Sequence, residues 1–265
     1  MSIETQPRSV SQAQQYEQCG WRYYLQRVER VPPRPAAWSH HGTAFHAAVE
    51  AYELSERTMP ADQAVQLFSD RYSALVNAGL EREPDTDRWL AAGLPGGADI
   101  ERRYRLGQDQ VRAYVDWAEA HPTETWKTPE DKPALELYFL VELGGVNVRG
   151  YIDQVVQDPD GALRPRDWKT GTTKSRFQLE VYTVALRKAY DVEVNKADWY
   201  LAKNGGLSRP LKMDAITEEQ VAERFVAMDA GVKAGDFPPQ PGFQCRFCDV
   251  SHACFFKSNL SGNLK

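Results

Sequence analysis

The sequence has no apolar run near the roughly 20 residues that a membrane-spanning helix needs. Its opening, MSIETQPRSVSQ, lacks both the basic and the apolar region of a secretory signal. The expectation is a soluble protein of the cytoplasm with no membrane partner. Net positive charge is also missing: 32 lysines and arginines stand against 37 aspartates and glutamates, giving −5. That excludes a histone-like binder held by bulk charge, while leaving room for a basic groove on one face. Internal repeats and low-complexity tracts are absent. What is there, 265 residues at 42% hydrophobic, is enough for a real core in one large domain or two small ones.

Cysteine is scarce and unevenly placed. Cys19 stands alone, whereas Cys245, Cys248 and Cys254 form C-x2-C-x5-C. Two disulfides would need an oxidising compartment that nothing in the sequence indicates. Three clustered thiols with one remote partner fit a four-sulfur metal site that ties the chain ends together. A zinc knuckle completed by His252, with Cys19 merely buried, fits the same spacing. Four thiolates suit zinc and iron–sulfur clusters alike, so spacing leaves that metal open.

The chain divides into segments at 9–30, 39–130, 133–233 and 237–258. SVSQAQQYEQCGWRYYLQRV carries helical spacing with a Ser9 or Ser11 start signal, placing Cys19 on or at the end of a helix. After the break VPPRP, a helix is expected from Ser39, with Phe45, Val49 and Tyr52 on one side and His46, Glu50 and Glu53 on an adjacent one. Two or three helices follow between Pro60 and Ala120, interrupted by the turn AGLPGG, and HPTETWKTPEDKP reads as a linker. From Pro133 the period changes to two. ALELYFLVEL, VNVRGYIDQVVQD and LRPRDWKTG form a three-stranded meander, turned at Gly144–Gly145 and at DPDG. KSRFQLEVYTVALRKAY then reads as a helix, KADWYLAKNG and RPLKMD as strands. TEEQVAERFVAMDAGVKAG is a last helix with a Thr217/Gln220 capping box.

In the meander, Asp153 is expected to end the second strand and Asp167 to lie in the third, with thirteen residues between them. Antiparallel pairing brings two such carboxylates within reach of one hard divalent cation, which takes oxygen ligands. Lys169, two residues after Asp167, shares its face and is placed to steady a charged transition state or orient water. The same spacing also describes a solvated strand end beside a turn. Two features support the site: Gln178 and Tyr182, at i and i+4 on the next helix, face the sheet. Arg164, Arg166, Lys169, Lys174 and Arg176 suggest a basic surface around Asp167, suited to a phosphate backbone.

The succession G-x-x-D (Gly150 to Asp153), D-W-K-T-G (Asp167 to Gly171) and Q-x-x-x-Y (Gln178 to Tyr182) resembles the RecB-like branch of the PD-(D/E)XK nuclease superfamily. His46 in G-T-A-F-H resembles its upstream histidine, and Glu136 in A-L-E-L falls where many relatives carry a glutamate. The cysteine frame is similar to the iron–sulfur staple of AddB-type and CRISPR-associated exonucleases. The resemblance runs from about Ser9 to Cys254 and is weakest over the helical insert from about Pro60 to Pro133. It departs in carrying aspartate at the second acidic position and Ile152 where the family name has proline.

The resemblance implies a single α/β domain: a restriction-endonuclease-like core with a mixed central sheet flanked by helices, a helical insertion, and an iron–sulfur staple joining the termini. It implies Mg2+ or Mn2+ held by His46, Asp153, Asp167 and the carbonyl of Trp168, with Lys169 activating water and Glu136 contributing. Gln178 and Tyr182 would place substrate or support the catalytic groups. A [4Fe–4S] cluster on Cys19, Cys245, Cys248 and Cys254 would be structural, with zinc the alternative. The implied activity is exonucleolytic hydrolysis of DNA, single-stranded or at ends, with recombination, repair or CRISPR adaptation proteins as partners. Two other outcomes stay open: an inactive nucleic-acid-binding or assembly protein of the same fold, and a zinc-stapled regulatory module.

Overall fold

A computed structural model describes residues 5–91, 93–173 and 175–257. Ala92, Lys174 and Ser258, which the sequence reading included, lie outside the described residues. The first helix, α1 (Val10–Gln18), starts at Ser9: the Ser9 hydroxyl accepts from the Gln12 N–H while the Gln12 side chain accepts from the Ser9 N–H. Cys19 closes α1 and opens the short α2 (Gly20–Tyr23), which runs into a π-helical turn, Tyr24–Val28. Helix α3 (Ala37–Leu54) begins at Ala37, not Ser39, as soon as the prolines end. Helices α4 (Ala61–Arg82) and α5 (Gly96–Ala120) fill the expected helical part, with one 3-10 turn between them.

Among the described residues seven strands form a mixed sheet. The meander is present as β2 (Leu135–Leu143), β3 (Val146–Gln157) and β4 (Leu163–Lys169), paired antiparallel. The expected linker supplies a short β1 (Glu124–Thr125) against the end of β3. Helix α6 (Phe177–Tyr190) carries the chain from β4 to β5 (Lys196–Leu201), which pairs with β4 in parallel. Short strands β6 (Gly206–Leu207) and β7 (Leu211–Lys212) flank β5. Helix α7 (Glu218–Ala234) follows, with the Thr217/Gln220 capping box in place. Asp153 does not end its strand: β3 runs on to Gln157, because β1 and β4 pair with its last residues from both sides.

Two cores lie on opposite faces of the sheet. One joins α1, α6 and α7 to Val148, Ile152 and Val155. The other joins α3, α4 and α5 to Trp168 and Tyr200, through Phe45, Tyr52, Phe68 and Tyr114. Burying each such ring is worth about 1.5–3 kcal/mol, so this wall of aromatics fixes α3, and with it His46, against β4. The two ends of the chain meet. Arg22 Nε donates to Asp249 Oδ1 at 2.9 Å and the Arg34 N–H to the Asp249 carbonyl at 2.8 Å.

Candidate metal centre

The β3–β4 ladder pairs Gln154 with Arg166; one residue further, that register sets Asp153 opposite Asp167. Both carboxylates are buried. Val148, Ile152 and Val155 all belong to one core, so the period of two slips between Ile152 and Val155, at the aspartate. Asp153 Oδ2 accepts from the Trp168 N–H at 2.7 Å, which locks the carboxylate onto β4. Across from it on β2, between Leu135 paired with Gln154 and Leu137 paired with Ile152, Glu136 has φ of 42°. A non-glycine residue in that left-handed region costs about 1–3 kcal/mol and persists where its surroundings impose it.

His46 reaches this point from α3. Its Nδ1 lies 3.6 Å from Asp153 Oδ2 and 3.7 Å from Glu136 Oε1. Its Nε2–H donates to the Trp168 carbonyl at 2.7 Å. That bond fixes the tautomer and leaves Nδ1 facing the carboxylates, as a ligating imidazole requires. Potential ligand atoms of His46, Glu136 and Asp153 all lie within 4.8 Å of one another. Burial disfavours the imidazolium, but Asp153, then Glu136 and Asp167, more than offset it and lift His46 to about 9. Burial also lifts Asp153, to about 7, against the pull of His46. Asp167 is raised by burial, with Lys169 opposing.

Asp167 stands outside the three-residue group but next to it. Its Oδ1 accepts from Lys169 Nζ at 2.8 Å, while its buried Oδ2 has no hydrogen-bond partner among the described residues. A carboxylate oxygen buried without a donor is costly, and a cation would relieve it, so the residues present fit a divalent ion. Lys169 also donates to Gln178 Oε1 at 2.9 Å, and Gln178 Nε2 donates to the Tyr182 hydroxyl at 2.6 Å. The two α6 residues therefore hold the lysine. Tyr182 rests edge-on against Phe139, centroids 6.2 Å apart. Phe139 has room only because its β3 neighbour is Gly150, where a Cβ would come within 2.7 Å of the Phe139 ring.

The structure corrects the basic surface. Arg164 and Arg166 alternate with Asp167 and point to the opposite, α5-facing side of β4. Arg166 is fully buried, donating to both Asp198 oxygens at 2.8 and 3.2 Å, 5.4 Å from the Trp117 ring centre. Arg164 pairs with Asp158 and Asp198, and Arg176 with Glu180. Glu53, on the His46 helix, is structural, accepting from Tyr114 and Arg57. The sequence reading gave Glu50 no role. It lies one turn beyond His46 and lines, with Gly42, Thr43 and Glu136, a hollow of about 420 Å³. Burial, then the Glu136 charge, raises its carboxyl. The i+4 spacing from His46 was the available signal.

The four cysteines are unpaired by disulfide and partly exposed. Cys19 Sγ accepts from the Gln240 N–H and Cys245 Sγ from the Gly242 N–H, each at 3.4 Å. Burial raises the Cys248 thiol. His252 is exposed. Among the described residues no three thiols or imidazoles at this end lie within 4.8 Å of one another. A tetrahedral zinc site, with Zn–S near 2.3 Å, holds its sulfurs about 3.8 Å apart.

A mixed sheet with paired carboxylates, a histidine and a lysine at one end defines an α/β protein equipped for divalent-metal chemistry. Comparison then gives the family: the model of the PD-(D/E)XK nuclease superfamily matches residues 7–255, and the chain belongs to that superfamily. It is similar to the Gene 69 protein of Mycobacterium phage D29, 42% identical over 258 residues, 93% of this chain and 96% of that one. The Gene 69 protein of Mycobacterium phage L5 is 39% identical over 277 residues, covering 93% and 95%. A solved structure described as "Crystal structure of SSO0001" covers 93% of this chain and 94% of its own at 13% identity, with a TM-score of 0.32. That likeness is too slight to bear on the fold. No helix among the described residues is long and apolar enough to cross a membrane.

Proposed function

We propose that the chain is one metal-dependent DNA nuclease domain, an exonuclease acting on single strands or DNA ends. The observation that carries this reading is the junction of two linked sets: His46, Glu136 and Asp153 around one point, and Asp167, Lys169, Gln178 and Tyr182 bonded in series beside it. Asp153, Asp167, Glu136 and His46 through Nδ1 are the proposed ligands of Mg2+ or Mn2+, while the Trp168 carbonyl, which accepts from His46 Nε2–H, orients the imidazole. An ion there would lower the pKa of bound water and neutralise charge on the phosphate. Lys169 holds a water or a phosphate oxygen, its ammonium aimed by Asp167 and Gln178. Tyr182 and Gln178 are positioning residues. Aspartate and glutamate oxygens suit Mg2+ and Mn2+, while the imidazole favours the softer of the two.

The four cysteines are proposed to hold a [4Fe–4S] cluster that closes the chain end to end. The N–H donors on Cys19 and Cys245 suit thiolates, which zinc would equally take. The proposed setting is a bacterial cytoplasm, and a recombination or repair role and a CRISPR adaptation role fit the same chemistry.

The test is cleavage of end-labelled single- and double-stranded DNA with Mg2+ or Mn2+, comparing wild type with Asp153→Ala and Lys169→Ala, with iron, sulfide and visible absorbance measured on the same protein. Wild type is expected to cut and both variants to lose at least about a hundredfold, the scale of removing one charge-stabilising group. A cluster-loaded wild type that cuts nothing, or variants that cut as it does, defeats the catalytic reading.

A further inference from the structure

Basic and aromatic side chains do gather on this protein, away from where the β4 arginines suggested. A groove of about 560 Å³ opens beside the loop that follows Lys169, bounded by Thr170–Thr172, Arg22, Trp38, Arg103, Phe243 and Phe247. No aspartate or glutamate is among its lining residues, although the whole chain carries −5. Beyond Trp38 and Phe247 it continues into a second hollow of about 360 Å³, to which Arg34, His40, Arg82 and one acid, Asp249, contribute, with Asp249 accepting from Arg22 Nε at 2.9 Å. The rings are presented outward: Phe243 is 70% exposed and Phe247 44%, their centroids 5.7 Å apart, with Arg246 over Phe243 at 5.4 Å. Trp38 is backed by the Arg103 guanidinium 6.0 Å from its ring centre, and Arg103 is anchored on the buried Asp99 at 2.8 Å.

Helix α3 connects this groove to the metal centre. Trp38, Gly42, His46 and Glu50 follow at intervals of four and share one face. Gly42 is the neck: it lines the hollow that contains His46 and Glu136, and a Cβ there would meet only Thr170 Oγ1, at an ordinary 3.6 Å. Glycine inside a helix is unfavourable relative to alanine, and no close approach explains it here. The glycine leaves free the space beside Thr170, a residue that also lines the groove. Trp38 lies two turns from His46, about 12 Å along the helix at 1.5 Å per residue, which is the length of three to four stacked nucleotides at about 3.4 Å each.

Resting on the nuclease reading above, we infer that this groove is the path of a single DNA strand, its bases stacked on Trp38, Phe243 and Phe247 and its phosphates beside Arg22 and Arg103. Exposed rings serve unpaired bases, whose faces a duplex hides. The strand meets the carboxylates at Gly42 and Thr170, with the rings holding nucleotides a few steps from the scissile bond.

Fluorescence anisotropy in calcium buffer, free of Mg2+ and Mn2+, tests this with oligothymidylate of 12 nucleotides, an abasic strand of the same length and a 12-base-pair duplex. Wild type is expected to bind the oligothymidylate at least tenfold more tightly than either of the others, and Trp38→Ala to lose about tenfold, with Trp38→Phe recovering most of it. Gly42→Leu is expected to lose binding comparably while melting no lower than wild type. The groove is refuted if wild type binds the abasic strand or the duplex as tightly as the oligothymidylate. It is also refuted if folded Trp38→Ala and Gly42→Leu bind as wild type does. If either refutation comes with normal cleavage, only the groove falls. A wild type that neither binds nor cuts removes the nuclease reading too.

Discussion

Lys169 shows how much one side chain depends on its neighbours. Its ammonium is held between Asp167 at 2.8 Å and Gln178 at 2.9 Å, and Gln178 is itself held by Tyr182. Tyr182→Phe removes the hydroxyl but keeps the ring on Phe139, so Gln178 loses an acceptor inside a buried corner. A hydrogen bond is worth about 1 kcal/mol net, so kcat on a labelled oligonucleotide is expected to fall roughly fivefold to tenfold, with KM little changed. An equal loss in KM would show that Tyr182 touches substrate and does not act through Lys169. At this scale strand and helix periods grouped Asp167 with Lys169 and Gln178 with Tyr182, antiparallel pairing brought Asp153 to Asp167, and their joint role as a metal site came from the family resemblance. The fate of Arg166 was not legible: the same period of two that aims Asp167 at α6 turns Arg166 to Asp198 on β5, a partner remote in sequence.

The elements carry a conflict that the alternating pattern conceals. Strands β2, β3 and β4 and the turn at Gly144–Gly145 follow from the sequence, yet β3 slips at Asp153 and β2 answers with a left-handed Glu136. Nothing in A-L-E-L marks that backbone, since glutamate has no preference for positive φ; only the paired strands impose it. The comparison of Glu136→Gly with Glu136→Ala isolates the strain, as both remove the carboxylate and only glycine accepts the conformation freely. In metal-free protein the glycine variant is expected to be more stable than the alanine variant by about 1 kcal/mol, read as a higher urea midpoint at equal slope. Equal midpoints would mean that β2 relaxes and that the side chain alone mattered. The cysteine ends illustrate the opposite case: the spacing announced a joined pair of termini, while the Arg22 and Arg34 contacts to Asp249 that hold them had no signature.

For the whole molecule, the buried carboxylates and His46 make stability depend on pH and on metal together. Asp153 is raised to about 7 from an ordinary value of 3.8, so the folded protein binds that proton more tightly than the unfolded chain. The stability this gives is complete below the ordinary carboxylate range and is lost as pH rises through about 7. His46 is raised to about 9 from 6.5, so its contribution is complete below 6.5 and is lost as pH rises through about 9. Both act in one direction. Without a divalent ion the melting temperature is expected to decline from pH 6 to pH 9, as two buried carboxylates and a neutral imidazole are left facing one another. Metal binding competes with these protons and stabilises by RT ln(1 + [L]/Kd), so an ion at one hundred times Kd adds about 2.7 kcal/mol. The rise in melting temperature on adding a fixed excess of Mn2+ is accordingly expected to be small at pH 6 and to grow steadily to pH 9. Asp153→Ala, which lacks the buried carboxylate facing His46, is expected to show a smaller rise and a flatter profile at every pH. A rise in wild type that is independent of pH, or one that Asp153→Ala reproduces, would place the bound manganese somewhere other than between His46, Glu136 and Asp153.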